Sequence, residues 1–389
     1  MRFAASVLAL AASANAACVA RHPPVNGTSA YPVKGSSSYP VAAHNAIVGS
    51  SDSSVKAVSS SASAPAAAAT SAAAQASPSP ASGTSKIASV PVKNKLAAAS
   101  NIKGFNYGAF FMNQQAKVQN DFAYEFNKAK NLPGTNGWSS ARLYSMVQWN
   151  TANDVIQAIP AAIDTQTTLL LGMWISGGPQ AIDNEIAALK KAIDQYGSRF
   201  TDLVVGLSVG SEDLYRQGAG EIGTTGDYLI QCINKVREAI RGTPLEGVQI
   251  GHVDTYDSFV GQQAVIENID WLGFDGYPFW EKNNPNSIDN AHARFYEGLD
   301  KTKALAMGKP VYVTETGWPV VGKQQGAAVA SAENARRYWK DIACSLVASG
   351  VNLWWYDLQE SQYGQAEPDF GIFPAGDLGQ LQPSYDLSC

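Results

Sequence analysis

From Gly104 onward, short apolar runs alternate with stretches in which apolar residues recur at three- to four-residue intervals. The first pattern suits buried strands and the second amphipathic helices. The strands read as "GFNYGA" (104–109), "SARLYS" (140–145), "TLLLGMWI" (168–175) and "DLVVGLSVGSE" (202–212), followed by "GVQIGHVDT" (247–255), "WLGFDGYP" (271–278), "PVYVTETGWP" (310–319) and "NLWWYDLQE" (352–360). Helical spacing is clearest in "PQAIDNEIAALKKAIDQYG", "GDYLIQCINKVREAI" and "SAENARRYWKDIACSLVASG". Strands alternating with helices predict an α/β fold with a parallel sheet, and eight such units match a (β/α)8 TIM barrel of ~250 residues plus loops. The rival, an open doubly wound sheet, would place a glycine-rich phosphate loop after its first strand, and "NYGAFFMNQQ" is not one.

Before the barrel the pattern is different. Arg2, the apolar "FAASVLALAA" and the small-residue site Ala14-Asn15-Ala16 read as a secretory signal peptide over 1–16. Residues 17–100 are dominated by Ser, Ala and Pro, with too few large apolar groups to offset the entropy of ordering, so a disordered, O-glycosylated linker is expected. Asn26, in Asn26-Gly27-Thr28, is the expected N-glycosylation site. The catalytic domain is then 101–389. Secretion permits disulfides among Cys18, Cys232, Cys344 and Cys389; tying terminal Cys389 to helical Cys344 is one use, and the connectivity stays open.

Charge narrows the ligand. With 28 basic and 33 acidic residues the chain carries −5, so there is no basic footprint for nucleic acid or an anionic membrane. Aromatic residues are plentiful (9 Trp, 16 Tyr, 13 Phe) and charged residues make up 16%, which favours a neutral, sugar-like ligand. None of the four histidines is spaced as a metal-ligand set, so no metal and no cofactor are expected.

Active sites of such barrels lie at the C-terminal ends of the strands. Glu212 closes the fourth predicted strand and Glu315 the seventh. By strand alternation, Val311, Val313 and Glu315 share one face, and Glu212 shares a face with Ser208 and Gly210; both carboxylates are expected to point inward at the same rim. Two converging carboxylates without a metal cluster suit glycoside hydrolysis, in which one acid protonates the leaving oxygen and the other meets the oxocarbenium-like centre. Taken singly, either is equally readable as an ion-paired strand-end acid.

At these residues the chain resembles glycoside hydrolase family 17, the endo-β-1,3-glucanases and glucan-remodelling enzymes of fungi and plants, and within it the fungal cell-wall branch. "VYVTETGWP" is similar to the family's nucleophile segment and "VGSEDLYR" to its acid/base segment, while "GFNYG", "ARLYS" and "GFDGYPFW" resemble its first, second and sixth strand ends. The likeness covers about residues 102–380. It implies Glu315 as nucleophile and Glu212 as general acid/base in a retaining, endo-acting β-1,3-glucanase. A β-1,3-glucan transglycosylase using the same residues is the alternative, and a non-catalytic glucan-binding wall protein is an alternative of another class. Two departures stand out. Ser211 occupies the position before the acid/base where the family and its clan have Asn, and Val320 follows Gly-Trp-Pro where a small polar residue is common.

Tyr277 and Arg142 are expected to support Glu315, the first by orienting the carboxylate and the second electrostatically. Asp275 is readable as a supporting carboxylate or a rival acid. Glu360 corresponds to a rim acid of the family, for sugar-hydroxyl contact or rim structure. Tyr107, Trp174, Tyr256, Phe279, Trp280 and Trp318 fall at or beyond strand ends and are candidate stacking rings, with Phe279 and Trp280 expected as the exposed platform. The expected partner is β-1,3-glucan, with no nucleic acid and no membrane, and the expected state a monomer. The C-terminal "LQPSYDLSC" lacks the apolar tail of a GPI signal, so a secreted, extracellular or cell-wall location without that anchor is expected.

Overall fold

Short β-branched and aromatic runs form the inner wall of the protein. In the computed structural model, which describes residues 101–389 apart from Asn136, eight parallel strands close in chain order into a barrel. They are β1 (Lys103–Tyr107), β2 (Ser140–Leu143), β3 (Thr168–Met173), β4 (Val204–Val209), β5 (Ile250–Asp254), β6 (Trp271–Asp275), β7 (Val311–Glu315) and β8 (Leu353–Trp355). Seven lie inside runs read as strands, and β1 begins one residue before its run, at Lys103. The signal peptide, the linker, Asn26 and Cys18 lie outside the described residues.

The alternation of side chains along each strand separates two cores. Leu170, Val205, Val253, Trp271, Tyr312 and Trp354 pack together inside the barrel, with Ile102 against them. The residues next to them in sequence, Leu171, Val204, Leu272, Val313 and Trp355, belong to the larger core beneath the helices. The adjacent tryptophans of β8 are thus divided, Trp354 inward and Trp355 outward, and Trp354 donates its indole N–H to Ser140 Oγ at 3.0 Å. Glycine makes room for the interior rings: Gly251 pairs with Trp271, and a Cβ at Gly251 would meet that ring at 2.3 Å.

The helices are α1 (Gln119–Lys130), α2 (Ala158–Thr165), α3 (Pro179–Tyr196), α4 (Ser198–Thr201), α5 (Asp213–Ala219), α6 (Gly226–Ile240), α7 (Gln263–Asn268), α8 (Ile288–Leu305), α9 (Ala332–Tyr338) and α10 (Cys344–Ala348), the last two joined by a π-helical turn, Trp339–Ala343. Helix α3 shows why they form. Pro179 supplies a preset first turn, Ile182, Glu185, Leu189 and Ile193 fall on its buried face, and Gly197 ends it at φ +54°. Cys344 on α10 is disulfide-bonded to Cys389, so the terminus is tied to the helix layer, while Cys232 is a buried free thiol.

Candidate active site

Glu315 reaches the rim through a bulge and not through regular alternation. Tyr312 points into the barrel and Val313 outward, so strict period two would aim Glu315 at the helices. Between β6 and β7 the register steps from Phe274↔Val313 to Asp275↔Glu315, leaving Thr314 as an extra residue on β7. A bulge of this kind puts two consecutive side chains on one side of a single partner. Thr314 Oγ1 donates to Asp275 Oδ1 at 2.7 Å, and Glu315 turns to the same interior. The expectation that Val311, Val313 and Glu315 share a face is corrected accordingly.

A cage of donors then fixes the Glu315 carboxylate. Oε1 accepts from Arg142 Nη1 at 2.5 Å and from the Tyr144 hydroxyl at 2.7 Å, and Oε2 accepts from the Tyr277 hydroxyl at 2.8 Å. Arg142 and Tyr144 are two apart on β2 and its continuation, so one strand face delivers both. Asn106 on β1 locks the guanidinium: its Oδ1 accepts from Arg142 Nη1 at 2.7 Å, and its amide nitrogen donates to the carbonyls of Thr314, Trp354 and Trp355. Burial opposes the charge on Arg142, but the surrounding Glu315, Tyr144 and Asp275 together raise its pKa and hold the arginine protonated. Burial raises the phenols of Tyr144 and Tyr277, with the Glu315 charge adding to it, so both remain hydrogen-bond donors.

Glu212 is presented differently. β4 ends at Val209, and Glu212 lies beyond it, in a left-handed turn at φ +55° that opens helix α5. The shared face with Ser208 and Gly210 therefore does not exist as strand geometry. Gly210 allows the turn, since a Cβ there would meet Asp213 Oδ2 at 2.0 Å. A non-glycine residue in this region costs about 1–3 kcal/mol and persists where its surroundings over-determine it. Here Glu212 N donates to Val253 O at 2.8 Å, Ser211 N to Asp213 Oδ2 at 2.7 Å, and Leu214 N to Asp254 Oδ2 at 3.0 Å. Arg216, one turn along α5, donates to Glu212 Oε2 at 3.2 Å. Desolvation by burial pushes the Glu212 carboxyl up to about 7; Arg216 works against this, and the Glu315 charge adds to it.

One carboxylate oxygen each of Glu212, Asp275 and Glu315 lies within 4.8 Å of the other two. Such a trio has the spacing of a cation site, but two arginines already compensate its glutamates and would repel a metal. Asp275 is pushed well above its ordinary range by burial and then by Glu315, with Arg142 opposing, so it favours the neutral form. Its Oδ1 is held by Thr314, which makes it a buried neighbour of the pair. Ser211 does not copy an amide: its hydroxyl accepts from Arg142 Nη2 at 2.9 Å and so bridges the two halves of the site.

Of the six candidate rings, two border the cavity beside Glu212. That cavity, of about 220 Å³, is lined by half-buried Tyr256 and Trp280, and also by Tyr215, Asp275, Tyr277 and Gln325. Phe279 is a correction, being fully buried and packed edge-on against Trp280 and Trp318; a ring without an open face cannot stack on a sugar. Trp318 is likewise buried, its N–H given to Val329 O, and Tyr107 packs edge-on against Phe126 beneath the rim. Trp174 lines a separate crevice with Ser145, Trp149 and Glu185. Glu360 accepts from the Tyr356 hydroxyl at 3.1 Å and from Phe370 N at 2.9 Å, and burial raises it to about 7. Sequence reasoning missed Tyr144, Asn106, Arg216 and Tyr215. Tyr144 was readable as the next inward residue after Arg142 on the same strand run, Asn106 as its partner on the adjoining strand, and Arg216 as the i+4 partner of Glu212.

Known proteins can now be set beside this geometry. Residues 104–371 match the BtgE/BtgC glycoside hydrolase domain. A protein of Aspergillus niger described as a probable glucan endo-1,3-beta-glucosidase is 52% identical over 295 residues, which make up 74% of this chain and 63% of that protein. The Emericella nidulans protein of the same description is 52% identical, over 74% of this chain and 62% of its own length. The chain thus spans less than two thirds of the length of these curated relatives. Among solved structures, a glycoside hydrolase family 17 beta-1,3-glucanosyltransferase from Rhizomucor miehei superposes with a TM-score of 0.61 at 27% identity, covering 74% of this chain and 98% of that one. An active-site mutant of the Rhizomucor miehei beta-1,3-glucanosyltransferase, in complex with laminaritriose, gives 0.60 at 25% identity, with the same coverage.

Proposed function

Because the chain belongs to the BtgE/BtgC glycoside hydrolases, within glycoside hydrolase family 17, we propose that it is a retaining, endo-acting β-1,3-glucanase working by double displacement. One observation carries the reading. Glu212 and Glu315 bring carboxylate oxygens within 4.8 Å, while burial raises Glu212 to about 7 and three donors hold Glu315. Retaining enzymes keep their carboxyls ~5–5.5 Å apart, whereas inverting ones leave room for a water between them.

In the first step protonated Glu212 gives its proton to the glycosidic oxygen as Glu315 attacks the anomeric carbon. The C–O bond breaks, the shortened glucan leaves as an alcohol, and a glycosyl ester forms on Glu315. In the second step Glu212, now a carboxylate, takes a proton from the incoming hydroxyl, whose oxygen displaces Glu315. Arg142, Tyr144 and Tyr277 orient the nucleophile and stabilise its charge when it departs. Tyr215, Tyr256 and Trp280 offer rings on the Glu212 side, where the leaving and incoming chains sit.

If the incoming hydroxyl belongs to another glucan, the same residues perform transglycosylation, a reading supported by the glucanosyltransferase among the similar structures. Domain organisation follows the sequence: a leader over 1–16, a glycosylated spacer over 17–100 and the barrel from 101, in a secreted protein of the cell wall. Among the described residues, no helix is long and apolar enough to cross a membrane. The test is proton NMR of a β-1,3-gluco-oligosaccharide digest at early times. The β-anomer should appear first; the α-anomer, or no release of reducing ends, overturns the reading.

A further inference from the structure

We infer that the protein carries a second carbohydrate-binding site beside α1 and the segment that follows β8. A cavity of about 370 Å³ opens there, within the ~300–1,000 Å³ range of small-molecule sites. Phe111, Tyr124, Glu125, Gln362 and Tyr363 are among its walls, and it shares no lining residue with the cavity beside Glu212.

Two acceptors on its lining side chains lack donors. Lys117 donates to Glu125 Oε1 at 2.6 Å, but Glu125 Oε2 is buried with no hydrogen-bond partner. The amide of Gln359 is fixed, because its nitrogen donates to the carbonyls of Pro374 and Gly376 at 2.6 and 3.0 Å. Gln359 Oε1 must therefore accept from Gln362 Nε2, at 2.7 Å, which orients the second amide and leaves Gln362 Oε1 buried and unpartnered. Glu125 and Gln362 are 3% and 9% exposed, so the two orphaned acceptors belong to side chains the fold holds firmly.

The rings are displayed at a cost. Tyr363 is 70% exposed and its backbone is left-handed at φ +55°, a conformation unfavourable for a bulky residue. It stands edge-on against Phe111 at 4.9 Å, and Tyr124 is 46% exposed on α1. Exposed aromatic faces beside a cavity walled by Glu125, Gln359 and Gln362 suit a polyhydroxylated ring. No lysine or arginine lines the cavity, which argues against an anion. A metal ion is disfavoured as well, since among the described residues only Glu212, Asp275 and Glu315 have ligand-like spacing, and Asp121 and Asp377 are spent accepting from Val118 N and Gly379 N. The occupant is a neutral oligosaccharide segment; its identification as β-1,3-glucan rests on the function proposed above. The site would hold a stretch of polymer away from the scissile bond.

The test uses the full chain carrying Glu315→Gln, so that turnover does not consume the ligand, run by electrophoresis through gels containing soluble β-1,3-glucan. Tyr124→Ala with Tyr363→Ala should weaken retention roughly tenfold, the scale of losing one well-placed aromatic contact. Tyr363→Phe keeps the ring and should be retained like its parent. In chains with Glu315 intact, the alanine pair should lower kcat/KM on polymer relative to kcat/KM on a short oligosaccharide. Equal retention of parent and alanine pair, no retention of either, or a Tyr363→Phe loss as large as that of Tyr363→Ala overturns the site. Absence of glucan cleavage by the unmodified chain overturns the proposed activity instead, a separate result from the retention comparison.

Discussion

The two halves of the site hold the same side chain in opposite surroundings. Glu315 ends a barrel strand and accepts from Arg142, Tyr144 and Tyr277. Glu212 sits on a left-handed turn, buried, with Arg216 as its cation and Glu315 as a repelling neighbour. Donors favour an anion, whereas desolvation and like charge favour a protonated acid. Residue type therefore says little about role; in the proposed mechanism it is environment that divides the labour between nucleophile and acid.

The most damaging way to break this asymmetry is Glu315→Gln. It removes the attacking oxygen, and turnover of β-1,3-glucan should fall by more than ~10⁴-fold, beyond the range usually attributed to general acid–base catalysis alone. Circular dichroism should show an unchanged barrel. Retained turnover would remove Glu315 from the mechanism.

Glu212→Gln comes next, with an expected loss of about 10²–10⁴-fold on glucan. An aryl β-glucoside with an acidic leaving group needs little protonation, so its glycosylation step should suffer far less. Equal losses on both substrates would contradict the acid role. Stability gives a second readout. The Glu212 pKa is raised from its ordinary 4.5 to about 7, so the stability tied to its protonated form is complete below 4.5 and is lost as pH rises through 7. The glutamine, which does not ionise, should gain stability relative to the unmodified chain across that window in pH-resolved denaturant titrations.

Smaller effects should follow from thinning the cage. Tyr277→Phe or Tyr144→Phe deletes one hydrogen bond to a charged group, about 1.5–3 kcal/mol, or ~10–150-fold in kcat/KM if the whole term acts in the transition state. Steady-state kinetics on a short oligosaccharide reads this directly, and a change confined to KM would make the tyrosines substrate contacts.

How much of this was legible beforehand differs between the elements. The eight strands were, because short apolar runs between helical stretches admit few other folds, and both glutamates were, because they lie at strand ends near Gly-Trp-Pro and in "VGSED". The reason given for Glu315 was wrong: the Thr314 bulge reverses its parity, and a bulge depends on the pairing of two distant strands. Phe279 and Trp318 were misplaced because an aromatic beyond a strand end packs into the layer of loops as readily as it faces a cleft. The second cavity had no signal in the sequence, since its walls come from the segment after β1, α1, the loop after β8 and the stretch 375–378, brought together only by closure of the barrel.

The finest test of the asymmetry leaves both glutamates in place. Burial pushes the Glu212 carboxyl up to about 7, and Arg216 is the cation that opposes it. With Glu212 required protonated for the first step, kcat/KM should decline as pH rises through about 7. Arg216→Met removes the opposing charge while keeping a long apolar stem, and it should move the decline to higher pH. Rates well below pH 7 should change little, because the acid is protonated there in either protein. A decline that remains in place would mean that Arg216 serves only to hold the turn.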